Sequence, residues 1–132
     1  MWKVRAIRGA TTASENTVDS ITLVVTELLD TLEHHNQLES DDIISVIFTV
    51  TKDLDALYPA SIARERLNWS NIPLLDVQQM YVECSLDHCI RVLLYVNTPK
   101  NQNQIHHTYL RGARVLRPDL DLDLSQMELQ RG

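Results

Sequence analysis

The sequence predicts an α+β protein, a mixed β-sheet flanked by two main helices. Three observations carry that prediction. Val18, Ile21, Val25, Leu28, Leu29 and Leu32 recur at helical spacing. Two runs, Ile43 to Thr51 and Cys89 to Asn97, are β-branched and nearly all apolar. Strands and helices also follow one another without strict βαβ repetition, which points to a mixed rather than a doubly wound parallel sheet. With 132 residues, 44% of them hydrophobic and 23% charged, residues 1–132 are expected to form one domain around one core.

The elements follow in order. Val4-Arg5-Ala6-Ile7-Arg8-Gly9 alternates apolar and polar like a strand and stops at glycine, and Ala10 to Asn16 reads as a polar loop. Asn16 is placed as N-cap of a helix of roughly 18 residues whose apolar stripe covers the sheet, with Asp19 near its positive end. Ile43 to Thr51 suits a strand buried on both faces. A turn from Asp53 leads to Pro59, suited to begin a short helix over about Ala60 to Leu67. An extended, interrupted stretch from Asn71 to Cys84 and a turn at Ser85 to His88 precede the strand Cys89–Asn97. That strand puts Ile90, Val92, Leu94 and Val96 on one face and Arg91, Leu93 and Tyr95 on the other. Asn101 to Arg111 reads as the second substantial helix, ending near Gly112. Val115-Leu116 reads as a last short strand stopped by Pro118, and the residues from about 120 to 132 as a mobile tail.

Composition excludes several functions. Charges break every apolar run at the N-terminus, so no signal peptide is expected, and no segment suits a membrane span; the reading is cytoplasmic. Cys84 and Cys89 fit neither a zinc spacing nor a disulfide framework. On a helix the neighbours in His34-His35 and in His106-His107 would diverge by about 100°, so each pair is read as a surface feature and no metal is expected. A net charge of −6 argues against a nucleic-acid partner. Three glycines leave no room for a phosphate loop or dinucleotide fingerprint, and no nucleophile elbow is present. What remains is chemistry without nucleotide, metal or covalent step.

A small anion is still possible, because it needs only a local group of arginines. Arg8 ends the first strand, Arg64 lies in the short helix, Arg91 sits within an apolar strand, and Arg117 ends the last one. Burying a guanidinium is costly unless something anionic meets it. Arg91 could face solvent or an aspartate of a neighbouring strand, or could join a shared carboxylate site by bidentate hydrogen bonding. Periodicity alone does not choose.

A resemblance does. Ile7-Arg8-Gly9-Ala10-Thr11-Thr12 resembles the opening motif of the monofunctional trimeric bacterial chorismate mutases, the non-helical class. Three further blocks agree in order and spacing. They are Asp53 to Ala60 with Arg64-Glu65, then Cys89-Ile90-Arg91-Val92, then His107-Thr108-Tyr109-Leu110 followed by Val115 to Leu120. The likeness runs from about Val4 to Leu120 without a gap. It implies a homotrimer whose sheets pack as a pseudo α/β-barrel, with active sites between subunits. The implied reaction is the rearrangement of chorismate to prephenate in phenylalanine and tyrosine biosynthesis, with no cofactor. It is a pericyclic step in which an ether C–O bond breaks, a C–C bond forms and negative charge grows on the ether oxygen.

By position in that family, Arg91 is expected on the ether oxygen, and Arg8 and Tyr109 on the side-chain carboxylate. Tyr58, Ala60, Arg64, Leu74 and Leu75 are expected to line the cleft from a neighbouring subunit, with Arg64 near the ring carboxylate. Leu116 and Arg117 are expected to close over the substrate. Tyr58 stands where phenylalanine is usual.

Two departures matter more. The family's glutamate, which accepts the ring hydroxyl and balances charge, is replaced by Gln79, whose amide oxygen can accept but brings no charge. A site usually held by cysteine is Asp76, so the expectation is that the carboxylate has moved, Asp76 supplying charge and Gln79 a hydrogen bond. Glu83 is a further candidate acid that would require a gap. Ser61 replaces a lysine near the ring carboxylate. The competing readings are a weakened trimer that binds chorismate-like dicarboxylates as a regulatory protein, and another small-molecule enzyme, such as an imine hydrolase, on a similar scaffold.

Overall fold

The structure is a computed structural model, and it describes residues 1–120. Five strands form one sheet in the order β3-β2-β4-β1-β5. They are β1 (Lys3–Thr12), β2 (Ile43–Val50), β3 (Leu74–Gln78), β4 (Cys89–Thr98) and β5 (Thr108–Tyr109). The central β4 runs antiparallel to β1 on one side and to β2 on the other, while β5 adds to β1 and β3 adds to β2 in parallel. The sheet is therefore mixed, as the absence of βαβ repetition requires.

One face is covered by α1 (Val18–Asn36), which buries Ile21, Val24, Val25, Leu28, Leu29 and Leu32. They meet Ile7 of β1, Val46 and Phe48 of β2, and Ile90, Val92 and Leu94 of β4, all in one core. Thr17, not Asn16, is the N-cap, and its side chain accepts the Ser20 N–H. Asn16 instead accepts the Asp55 and Ala56 N–H groups at 3.0 and 3.1 Å, which fixes the turn leading to α2 (Pro59–Arg64). Pro59 opens α2, as expected for a residue with preset φ. Just beyond α2, Arg66 pairs with Asp30 and Glu33 of α1 and ties the two helices together.

The C-terminal third corrects the sequence reading. No helix spans 101–111; a short 3₁₀ turn (Gln102–Gln104) leads into β5. Two tertiary claims on the backbone explain this. Buried Asn36 accepts the His106 N–H at 2.8 Å and donates to the His106 carbonyl at 2.9 Å, and Leu110 N–H reaches the Ala10 carbonyl. Both take groups a helix would need. Val115-Leu116 belongs to a 3₁₀ segment (Arg111–Leu116), not a strand. Ala10 to Thr12, expected as loop, continues β1 because Cys89 to Arg91 pair with it. The expected tail from 121 to 132 lies outside the described residues. Among the described residues no helix is long and apolar enough to cross a membrane.

Among the described residues, the second face of the sheet carries no helix. Alternation along each strand sends Arg91, Leu93 and Tyr95 of β4, Ile47 and Thr49 of β2, and Leu75 and Val77 of β3 to that face. Leu75 is 55% exposed and Tyr95 37%, so an apolar sheet face lies open in the single chain.

Candidate active site

The open face holds a cleft of about 320 Å³, lined by Arg8 and Gly9 of β1, Thr49 of β2, Arg91 of β4, Tyr109 of β5 and the segment Gln78-Gln79-Met80. Register brings these residues together. Arg91 stands opposite Ala10 on one side and Thr49 on the other, and Tyr109 stands opposite Ala10. Gln79 follows β3 and is fixed by its N–H to the Val50 carbonyl at 2.8 Å. Four residues expected from the sequence (Arg8, Gln79, Arg91 and Tyr109) thus come from four separate stretches of chain to one place.

The polar groups here are incomplete within the chain. Arg91 Nε, Gln79 Oε1 and Thr49 Oγ1 are buried and have no hydrogen-bond partner among the described residues. Buried polar atoms without partners are uncommon, and a donor beside an acceptor in a cleft suits a ligand that offers both. Cys89, on the same face as Arg91, has its thiol pushed up by burial, an effect that the Arg91 charge and hydrogen bonding oppose. Thr49 is a lining residue that sequence reasoning missed; its only signal was membership of a strand that pairs with the one carrying Arg91.

His107, read from sequence as a surface residue, is half-buried. Its Nδ1 accepts the Arg8 backbone N–H at 3.0 Å. Burial, reinforced by Arg8, Arg117 and His106, holds its pKa below the ordinary histidine value. Arg117 reaches the same neighbourhood, and its guanidinium forms a two-pronged pair with Asp119 at 3.1 and 3.0 Å. Leu116 is half-buried at the end of its 3₁₀ segment.

The other expected residues lie elsewhere in the chain, around α2 and β3. Ala60, Ser61 and Arg64 are on α2, Tyr58 caps it and is 72% exposed, and Leu74, Leu75 and Asp76 are on β3. None of them lines the Arg91 cleft of the same chain. Asp76 stands opposite Phe48, on the helix-covered face of β3, and its Oδ1 accepts the Ala60 N–H at 3.0 Å. Tyr58 makes no side-chain cap, so Asp76 supplies from another element the acceptor that the first turn of α2 lacks. Burial raises the Asp76 pKa, while the Ala60 N–H and the Arg64 charge oppose the rise. Ser61 Oγ is likewise engaged locally, donating to the Tyr58 carbonyl at 2.6 Å.

A sheet closed on one face by α1, with an arginine-lined cleft on the other, suits a protein that takes a small anionic ligand. Residues 4–120 match the family described as chorismate mutase type I. The chain is 39% identical to chorismate mutase AroH of Bacillus subtilis (strain 168) over 119 residues, 90% of this chain and 94% of that one. It is 42% identical to chorismate mutase AroH of Thermus thermophilus over 119 residues, 89% and 97% of the two chains. Among solved structures, a chorismate mutase from Clostridium thermocellum superposes with a TM-score of 0.80 at 51% identity, covering 83% of this chain and 97% of the other. The chain belongs to the type I chorismate mutase family.

Proposed function

We propose that the chain, a chorismate mutase by family, rearranges chorismate to prephenate in a cleft that two subunits of a homotrimer share. The observation that carries this reading is the convergence of Arg8, Arg91 and Tyr109 on a cleft whose buried Arg91 Nε and Gln79 Oε1 are unpartnered. Chorismate offers two carboxylates, an ether oxygen and a ring hydroxyl to such a set. Arg8 and Tyr109 hold the side-chain carboxylate. Arg91 donates to the ether oxygen, and Gln79 Oε1 accepts the ring hydroxyl.

Electrons rearrange within one molecule, so no proton, hydride or nucleophile has to be supplied and no cofactor is required. Catalysis comes from holding the flexible side chain over the ring and from a fixed cation where negative charge grows. The guanidinium works in a desolvated setting, where it is worth more than in water.

Two observations support the shared cleft. Tyr58, Ser61, Arg64, Leu74 and Leu75 stand apart from the cleft of their own chain, and of these the outward-facing Tyr58 and Leu75 are free to meet a neighbour's. The open sheet face also exposes Leu75, Val77 and Tyr95 together, an apolar surface that a second and third copy would bury. In the assembled site Arg64 approaches the ring carboxylate, Tyr58, Ala60, Leu74 and Leu75 form the opposite wall, and Leu116 and Arg117 cover the opening. As an enzyme of phenylalanine and tyrosine biosynthesis acting on a soluble intermediate, the protein is assigned to the cytoplasm.

The test is loss of chorismate absorbance in the ultraviolet, corrected for the spontaneous reaction. Saturable acceleration with prephenate as product is expected. Saturable binding without acceleration would make the protein a dicarboxylate-binding relative disabled at Gln79. Subunit sharing is tested by mixing Arg64→Ala and Arg91→Ala chains after unfolding. Random reassembly should restore about a quarter of the sites, because in that fraction both halves are intact. No recovery would place both arginines in one subunit's site.

A further inference from the structure

We propose that His107 is a positioning residue that sets Arg8 in the cleft, and that it does so only as a neutral imidazole. This rests on the reading of Arg8 as part of the carboxylate clamp. β5 contributes just two paired rungs to β1, Gly9 with Thr108 and Ala10 with Tyr109. The next β1 donor toward that edge is the Arg8 N–H. No β5 carbonyl can meet it, because the chain has already turned toward α1, where Asn36 takes the N–H and the carbonyl of His106. The His107 ring fills the vacant rung, Nδ1 accepting the Arg8 N–H at 3.0 Å.

An acceptor at Nδ1 means that the ring carries its proton on Nε2 and is uncharged. Protonation would place a second N–H against the Arg8 N–H, breaking the bond and pushing apart β1 and β5 where each carries a clamp residue, Arg8 and Tyr109. The surroundings favour the neutral ring. Arg8 from β1, Arg117 from the end of the 3₁₀ segment and the preceding His106 are the basic groups that face it, and they add to the effect of burial. Tyr109 lies close to Arg117, and α1 contributes the uncharged Asn36 and, against the His106 ring at 6.4 Å, His35.

The neutral-acceptor role has a sign that a direct anion-binding role does not share. The substrate carboxylates stay ionised over about pH 5 to 8, so they do not contribute to the profile there. If His107 holds Arg8, KM rises as pH falls and the acceptor is lost. If instead the imidazolium binds substrate, KM falls as pH falls.

The experiment measures kcat and KM across that range for the unmodified enzyme, His107→Asn, His107→Ala and Arg8→Ala. Asparagine places an oxygen near the Nδ1 position and cannot take up a proton, so His107→Asn should keep a KM near the parent's high-pH value and show no rise toward acid. His107→Ala should hold KM roughly tenfold above the parent's high-pH value across the range, the size of one lost hydrogen bond, so that its difference from the parent shrinks toward acid, with a smaller change in kcat. His106→Gln should leave the parent profile in place, assigning it to His107. A flat or inverted parent profile, or a His107→Asn variant that behaves like His107→Ala, overturns the proposal. Should His107→Ala fail to fold, the parent profile and His107→Asn still decide. Arg8→Ala is the separate check: an unchanged KM there would refute the carboxylate clamp itself, whatever His107 does.

Discussion

The chain carries two groups of candidate site residues, and they differ in how far their hydrogen bonding is complete. Around Arg91 the sheet leaves a guanidinium nitrogen, an amide oxygen and a hydroxyl buried and unpaired among the described residues. Around α2, Asp76 is bonded to Ala60, Ser61 to the Tyr58 carbonyl, and the large groups Tyr58 and Leu75 point outward. The first group is chemically unfinished, the second is structurally finished and lacks a surface to meet. That division is what a site assembled from two subunits requires: one half supplies reactive polar groups, the other a shaped wall. It also says where substitutions should affect chemistry and where they should affect only shape.

The largest effect belongs to the unfinished half. Arg91→Ala should lower kcat by roughly 10³-fold, the scale of one fixed donor to a developing oxyanion, with the fold intact because the residue lies on the open face. Initial rates alongside far-ultraviolet circular dichroism check both parts. A loss of only a few fold would move the electrostatic role to another cation, Arg8 or Arg64.

Stability in that half depends on Gly9, next to Arg8. A Cβ there would lie 3.1 Å from Leu32 Cδ1, 3.1 Å from Val92 Cγ1 and 3.1 Å from the Thr108 carbonyl oxygen. One of those atoms is backbone, so the contact cannot be relieved by side-chain rotation alone. Gly9→Ala should cost about 1–3 kcal/mol, the usual range for overpacking, as measured by urea unfolding. Because the displaced atom belongs to β5, KM should rise as well. An equivalent change on α2 should leave the Arg91 cleft of its own chain unaffected.

Gln79 offers a gain. In the proposed site its side-chain oxygen accepts the ring hydroxyl, but it leaves the cationic cleft without the balancing charge that the resemblance implies for a glutamate at this position. Gln79→Glu should raise kcat about tenfold, a change of roughly 1.4 kcal/mol. The effect should fade below about pH 5 as the carboxylate protonates. A variant no faster than the parent would show that hydrogen bonding alone suffices here.

Much of this was legible in the sequence. Period-3.6 spacing located α1, β-branched runs located β2 and β4, and the alternation of β4 placed Arg91 opposite the core-facing Val92. The resemblance supplied Arg8, Gln79 and Tyr109. What was hidden depends on contacts distant in sequence. The stretch 101–111 contains local helix signals, yet Asn36 and Ala10 take its backbone groups and leave β5 just two residues long. His107 could not be identified from the pair His106-His107, because its role exists only once β5 lies beside β1. The side chain of Asp76 is directed by the strand's alternation toward α2, a direction that family position alone did not reveal.

Asp76 gives the smallest expected effect and the sharpest test of the division. Its raised pKa means that the folded state favours the protonated acid. The stability linked to that shift is fully present below the unfolded-state value, near pH 4, and is lost as pH rises through the folded-state value. At neutral pH the charge is therefore a mild burden to the fold, while Oδ1 is useful as the acceptor for Ala60 N–H. Asp76→Asn keeps the acceptor and removes the charge. It should leave kcat and KM within about twofold of the parent, and it should unfold at an equal or higher temperature at pH 7, with the difference shrinking toward pH 4. Asp76→Ala removes the acceptor and should cost about 1 kcal/mol, as loss of a helix cap does, with KM rising through movement of Tyr58 and Arg64. If Asp76→Asn instead lowers kcat tenfold while remaining folded, the carboxylate charge takes part in the chemistry, and the α2 half carries the electrostatic role that Gln79 lacks.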